Sequence, residues 1–160
     1  MVDGSVTRTI ADIMRRPALT AAPSDTLAAA SASMREHNAG AVVVVDDTGR
    51  PIGIFTERDL IRCAAGGADP TTSPVAEWMT QEPQTVSSVE SAVAAFEWLS
   101  DRGFRHIPVV DDGELVGMAT MRGLMKLASI EPVTHPGHME APKGLAGVIV
   151  AETEVGDVRG

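Results

Sequence analysis

The sequence predicts a mixed α/β (α+β) protein made of two tandem β-α-β-β-α repeats packed about a pseudo-twofold axis. Three observations predict it. Ile13-Met14, Pro17 and Thr20 recur as Trp78-Met79, Pro83 and Thr85. The run Ala41-Val42-Val43-Val44-Val45-Asp46-Asp47 recurs as His106-Ile107-Pro108-Val109-Val110-Asp111-Asp112. Gly53-Ile54-Phe55-Thr56-Glu57-Arg58-Asp59-Leu60 recurs as Gly117-Met118-Ala119-Thr120-Met121-Arg122-Gly123-Leu124, with one residue of slip in the Asp-Asp-Gly turn. Matched blocks in one order mark an internal repeat. A half of about 60 residues buries too little surface to be robust alone, so the two are expected to pack sheet against sheet.

Each half reads in the same order. Ser24 is the expected cap of the first helix, whose apolar face is Leu27, Ala30, Ser31 and Met34. In the second half, Ser87 and Glu90 form the expected capping box, and Val89, Ala92, Val93, Phe96 and Leu99 make the face. The stretches 41–45 and 107–110 are short and β-branched, as strands covered on both sides are. Turns at Asp47-Thr48-Gly49 and Asp112-Gly113 lead to strands over 52–55 and 115–119. Helices follow, entered at Thr56 and Thr120. The break Gly66-Gly67-Ala68-Asp69-Pro70 separates the halves. The expected division is repeat 1 over 8–66, a linker over 67–74, repeat 2 over 75–130, and a linker with C-terminal extension over 131–160.

Composition narrows the function. Apolar residues make up 44% of the chain but aromatics only 3%, so the core must be aliphatic. Thirteen Lys and Arg against 22 Asp and Glu leave a net charge of −9. Such a chain repels nucleic acid and anionic membranes, although a local arginine cluster can still hold a small anion. The single cysteine, Cys63, excludes an intrachain disulfide and reads as an apolar filler on a helix. No stretch approaches a signal peptide or a membrane span, so the cytoplasm is the expected location. The sequence carries no nucleophile constellation, metal cluster or phosphate-binding glycine loop, and no catalytic residue is assigned. His135 and His138 on a Pro-Gly loop read as linker, and no metal site is assigned.

The arrangement resembles the CBS-domain pair, or Bateman module, over residues 10–128. Its marks are Ala39-Gly40-Ala41, Arg105-His106-Ile107-Pro108-Val109-Val110-Asp111 and the closing Gly-Ile-Phe-Thr-Glu-Arg-Asp at 53–59. The resemblance implies a regulatory module binding AMP, ADP, ATP or S-adenosylmethionine in a cleft between the repeats, with no required cofactor. It also implies pairing into a homodimer. The alternative is a purely structural dimerisation module with an empty cleft.

Two readings meet at Thr56-Glu57-Arg58-Asp59. Thr56 and Asp59 form a capping box, or Asp59 accepts from ribose hydroxyls while the amides at Thr56 and Glu57 face a phosphate. The resemblance favours the ribose role and draws Arg105, His106 and Pro108 from the second repeat into the same site. Arg105 is the better phosphate ligand, being always charged and fork-shaped, or else a solvated strand-edge arginine; His106 is a phosphate partner or, by preference, a semi-buried strand residue. Gly40 admits a ligand close to the backbone, beside Ala41. Met118 and Thr120 are expected to line the cleft, and Thr20 to Ala22 to offer backbone groups to the adenine edge. Gly123 replaces the acidic residue in the second copy, so the twin site is expected to be weak or empty. Trp78 reads as core, and Trp98 as core or dimer surface, rather than as base-stacking residues.

The tail from Ala141 to Gly160 resembles the opening segment of citrate synthase family enzymes. That resemblance implies a citrate synthase-like enzyme as origin or partner. The alternative is an amphipathic extension that adds a strand.

Overall fold

A computed structural model describes residues 8–128. The citrate synthase-like tail and the histidine loop lie outside the described residues. The elements are β1 (Thr20–Ala21), α1 (Leu27–Glu36), β2 (Ala41–Val45), β3 (Pro51–Thr56), α2 (Glu57–Ala65), β4 (Thr80–Gln81), α3 (Ala92–Arg102), β5 (His106–Asp111), β6 (Glu114–Thr120) and α4 (Met121–Ala128). Short 3-10 turns at Ile10–Asp12 and Val75–Glu77 open each repeat.

The first sheet has the order β1-β2-β3-β4. β1 runs parallel to β2, and the other neighbours are antiparallel. The second sheet keeps only β5 and β6 as full strands. Its edges are single bridges: Val86 parallel to Val109, and Arg15 antiparallel to Met118. Val86 therefore holds the place of β1, and Arg15 the place of β4. The expected first strand of repeat 2 has shrunk to one bridge.

This pattern exposes an exchange. β4 opens the second repeat, yet it pairs with β3 of the first. Arg15 belongs to the first repeat, yet it pairs with β6 of the second, with N···O distances of 2.9 and 3.0 Å. The cores follow suit. Ile10, Ile13 and Met14 pack with Leu99, Ile107, Val109 and Leu124. Val75, Trp78 and Met79 pack with Leu27, Val42, Val44 and Phe55. A third cluster, Ala41, Val43, Ile54 and Met118, lies where the two sheets meet. Each leading arm needs a glycine opposite it. A Cβ on Gly53 would collide with Met79 Sδ, and one on Gly117 would lie 2.8 Å from Met14 Sδ.

The helix starts differ from expectation. Thr26, not Ser24, caps α1, accepting from the Ala29 amide at 3.2 Å. The reason is upstream: Asp25 folds back to the Ala22 amide at 2.8 Å, and Ser24 sits inside that turn. Ser91, not Ser87, caps α3. The exchanged arm holds the preceding segment, with Ile10 N bonded to Glu90 O at 3.0 Å and Ala11 N to Ser88 O at 2.9 Å. Ser87 instead donates to Asp111 at 2.8 Å. The late start rotates the buried face. Ala92, Ala95, Trp98 and Leu99 are buried, whereas Val89 and Val93 are exposed.

Candidate functional site

The cleft grows from three local features. The first is the start of α2. Thr56 accepts from the Asp59 amide, and Asp59 Oδ2 accepts from Thr56 N and Oγ1 at 2.8 Å each. This reciprocal cap satisfies donors that the helix cannot satisfy itself. Asp59 is buried, and its Oδ1 pairs with Arg62 at 3.1 Å. Arg62 also donates to Trp78 O at 2.7 Å, tying α2 to the exchanged arm.

The second feature is the entry to β5. Gly103 adopts a left-handed conformation (φ 66°) and ends α3, turning the chain so that Phe104, Arg105 and His106 face α2. Glycine is the residue that tolerates this φ at a helix end. The third is Gly40, where the Glu57 amide donates to Gly40 O at 3.1 Å. A Cβ there would lie 2.9 Å from His106 Cε1 and Nε2, so the glycine lets the imidazole lie against the backbone. Burial pushes His106 below its ordinary pKa, the Glu57 carboxylate opposes that shift, and Arg105 adds to it.

These elements enclose an open cleft of about 210 Å³. Of the residues singled out from the sequence, it gathers Gly40, Thr56, Arg58, Asp59, Arg105, His106 and Pro108. It does not gather Thr20 or Ala22. They lie at β1, across the sheet from β4, because the order is β1-β2-β3-β4. Ala41 and Met118 are buried in the layer between the sheets. Thr120 accepts from the Gly123 amide at 3.1 Å and caps α4, in the twin half.

Thr80, Pro83 and Gln84 stand at this cleft instead, with Ile54, Glu57 and Phe104. Sequence reasoning missed them because it left each arm with its own repeat. The signal was present in the paired Met79/Gly53 and Met14/Gly117 positions. Trp98 is buried beside Phe104, with ring centroids 5.8 Å apart, and Arg102 lies over its ring at 4.4 Å. Phe55 and Cys63 are core residues, and burial raises the Cys63 thiol pKa. No helix among the described residues is long and apolar enough to cross a membrane.

Fold and cleft together define a pair of interlocked repeats with a groove at their junction. The CBS-domain family matches the chain twice, over residues 10–66 and 75–130, and the chain belongs to that family. An uncharacterised protein of Methanopyrus kandleri is 35% identical over 120 residues, covering 74% of this chain and 61% of its own length. The chain spans 61–66% of the length of the first three curated relatives it matches. A CBS-domain-containing protein of Agrobacterium tumefaciens superposes with a TM-score of 0.70 at 30% identity, covering 76% of this chain and 99% of that one. The CBS domain pair of protein MJ0100, solved with 5-methylthioadenosine and S-adenosyl-L-methionine, superposes with a TM-score of 0.71 at 25% identity, covering 77% and 97%.

Proposed function

We propose that this chain is a regulatory module that binds an adenosine-containing ligand in the Asp59 cleft. The carrying observation is one open cleft that holds a buried carboxylate, the start of a helix and two exposed arginines, Arg58 and Arg105. A carboxylate accepts from vicinal hydroxyls, and Asp59 Oδ1 keeps acceptor capacity beside its pairing with Arg62. Helix-start amides and arginines suit phosphate or another anion. The ligands of the MJ0100 domain pair, both adenosine derivatives, support the same class.

The reading assigns no catalytic step. The ligand acts by preferring one arrangement of the two repeats, since equal affinity for both would shift nothing. It places the module in the cytoplasm and pairs it with a second copy. Ile61, an exposed apolar side chain on α2, supports that pairing. A citrate synthase-like partner rests only on the sequence of the tail. The competing reading, an assembly module with an empty cleft, is favoured by the complete cap that already engages Asp59.

The deciding experiment is calorimetric titration with AMP, ADP, ATP and S-adenosylmethionine. Binding to the wild type with at least a tenfold loss in Asp59→Ala is expected. No binding at millimolar concentration, or binding indifferent to Asp59→Ala, overturns the reading.

A further inference from the structure

The two halves align position for position around the cleft, and the exchange of Thr80 for Arg15 adds to the exchange of Asp59 for Gly123. Thr80 sits opposite Ile54 on β3, and Arg15 sits opposite Met118 on β6. Ile54 and Met118 occupy the same place in the repeat, so Thr80 and Arg15 are counterparts. Met79 at Gly53 and Met14 at Gly117 confirm the register independently. On the facing side, Gly103 and Asn38 are counterparts. Each lies just past the first long helix of its repeat and carries a positive φ, 66° and 49°. In the Asp59 cleft, Thr80 and Gly103 both line open space. In the twin position, that span is bridged. Arg15 Nη1 donates to Asn38 O at 3.1 Å and Nη2 to His37 O at 3.3 Å.

We propose that Arg15 is a built-in occupant of the second cleft, which leaves the chain a single-site module. A guanidinium is well placed there. The last carbonyls of a helix have no partner within it and carry the negative end of its dipole. Arg15 satisfies the carbonyls of His37, the C-cap of α1, and of Asn38 just past it, and spans from an arm on the second sheet to the end of a helix of the first repeat. Thr80 is too short for the same reach, and the Asp59 cleft stays open. Gly123 removes the carboxylate from the same twin cleft, and the arm packs close to it: a Cβ at 123 would meet Ile13 O at 3.4 Å. A ligand entering there would have to displace Arg15 and would find no acid for its ribose.

This inference rests on the adenosine-ligand reading, and its test separates the two. The variant Arg15→Thr with Gly123→Asp copies the Asp59 half onto its twin. AMP is titrated calorimetrically into the wild type and the double variant at millimolar ligand. One equivalent per chain is expected for the wild type and two for the variant. The second is expected to be weaker, because Gly40 stands where the open cleft has Arg105. The unaltered Asp59 cleft reports that the variant is folded. Adding Asp59→Ala should leave one equivalent, now at the rebuilt cleft. Two equivalents in the wild type overturn the inference and leave the Asp59 reading standing, as does a single equivalent in the double variant. Loss of a wild-type site on Arg15→Thr alone identifies Arg15 as a ligand contact and overturns it too. Absence of binding of AMP, ADP, ATP and S-adenosylmethionine alike to either chain overturns both.

Discussion

Gly53→Ala and Gly117→Ala test the exchange of arms, and the structure ranks them. Neither glycine has a positive φ, so alanine is tolerated by the backbone and only space is at issue. At Gly53 the new methyl meets the side chain of Met79, at Sδ, Cγ and Cε. A thioether chain with three rotatable bonds can move aside, so the cost is an overpacking of about 1–2 kcal/mol. At Gly117 the methyl meets Met14 Sδ at 2.8 Å and also the backbone carbonyl of Arg15 at 2.9 Å. That carbonyl accepts from Met118 N at 3.0 Å, and Arg15 N donates to Met118 O at 2.9 Å. Displacing the backbone endangers both bonds, at about 1 kcal/mol each, beyond a similar overpacking term. Alanine also restricts the unfolded chain, which offsets about 0.4–1 kcal/mol in either variant. The expected losses are about 1 kcal/mol for Gly53→Ala and about 2–3 kcal/mol for Gly117→Ala. For a domain of this size these correspond to Tm drops of about 3–6 °C and about 8–15 °C. Urea unfolding and thermal scans read both. Met79→Ala should relieve much of the Gly53→Ala defect in a double-mutant cycle, whereas Met14→Ala should relieve little of the Gly117→Ala defect. Equal losses, or the reverse order, would refute the argument that a backbone carbonyl is what the second methyl strikes.

Gly123→Asp should raise stability by about 0.5–1 kcal/mol. It replaces a helix-interior glycine and restores the reciprocal cap that Asp59 makes with Thr56, read as a higher Tm; an unchanged or lower Tm sinks this. His106 gives a pH signature. Burial lowers its folded pKa below the ordinary 6.5, so above pH 6.5 the ring is neutral in both states and its full contribution is present. Below 6.5 the unfolded chain takes the proton first, and stability falls with pH. The Tm should therefore drop between pH 7.5 and 5.5, and by less in His106→Gln. Asp111 and Asp46, held low chiefly by hydroxyl hydrogen bonds, titrate below that window and do not confuse it.

Legibility in the sequence tracked locality. Residues 41–45 were readable as a buried strand because a β-branched run with no polar break has one common solution. The Thr56–Asp59 cap was readable because its two residues lie three apart and need nothing else. Cys63 was readable because an apolar helix position decides it. The caps at Thr26 and Ser91 were not. Each helix start is set by partners far along the chain: Ser73 O takes the Leu27 amide, and the arm at Ile10 and Ala11 pins the segment before Ser91. The same limit governed the cleft. Residues contributed by α2 and β5 were found, while Thr80, Pro83 and Gln84 were not, since sequence order assigns an arm to its own repeat. The pairing that overrules that order is a contact between β3 and β4, separated by a helix and a linker.

The exchange also bears on how the proposed ligand binding would be felt. Each sheet has its outer edge supplied by the opposite repeat, so neither half keeps its core if the other opens. Unfolding is therefore expected to be a single cooperative transition, with no stage at which one repeat stands alone. A ligand in the Asp59 cleft would touch α2 and β3 of the first repeat, the borrowed β4 arm and the start of β5 at once. Arg62 already joins Asp59 to Trp78 O on that arm. Any ligand that draws on Asp59 thus acts on the joint between repeats rather than on one repeat alone. The twin joint, with Arg15 across it, is fixed by the chain itself. One joint that yields to ligand beside one that does not is what would convert occupancy into a directed tilt of one repeat against the other.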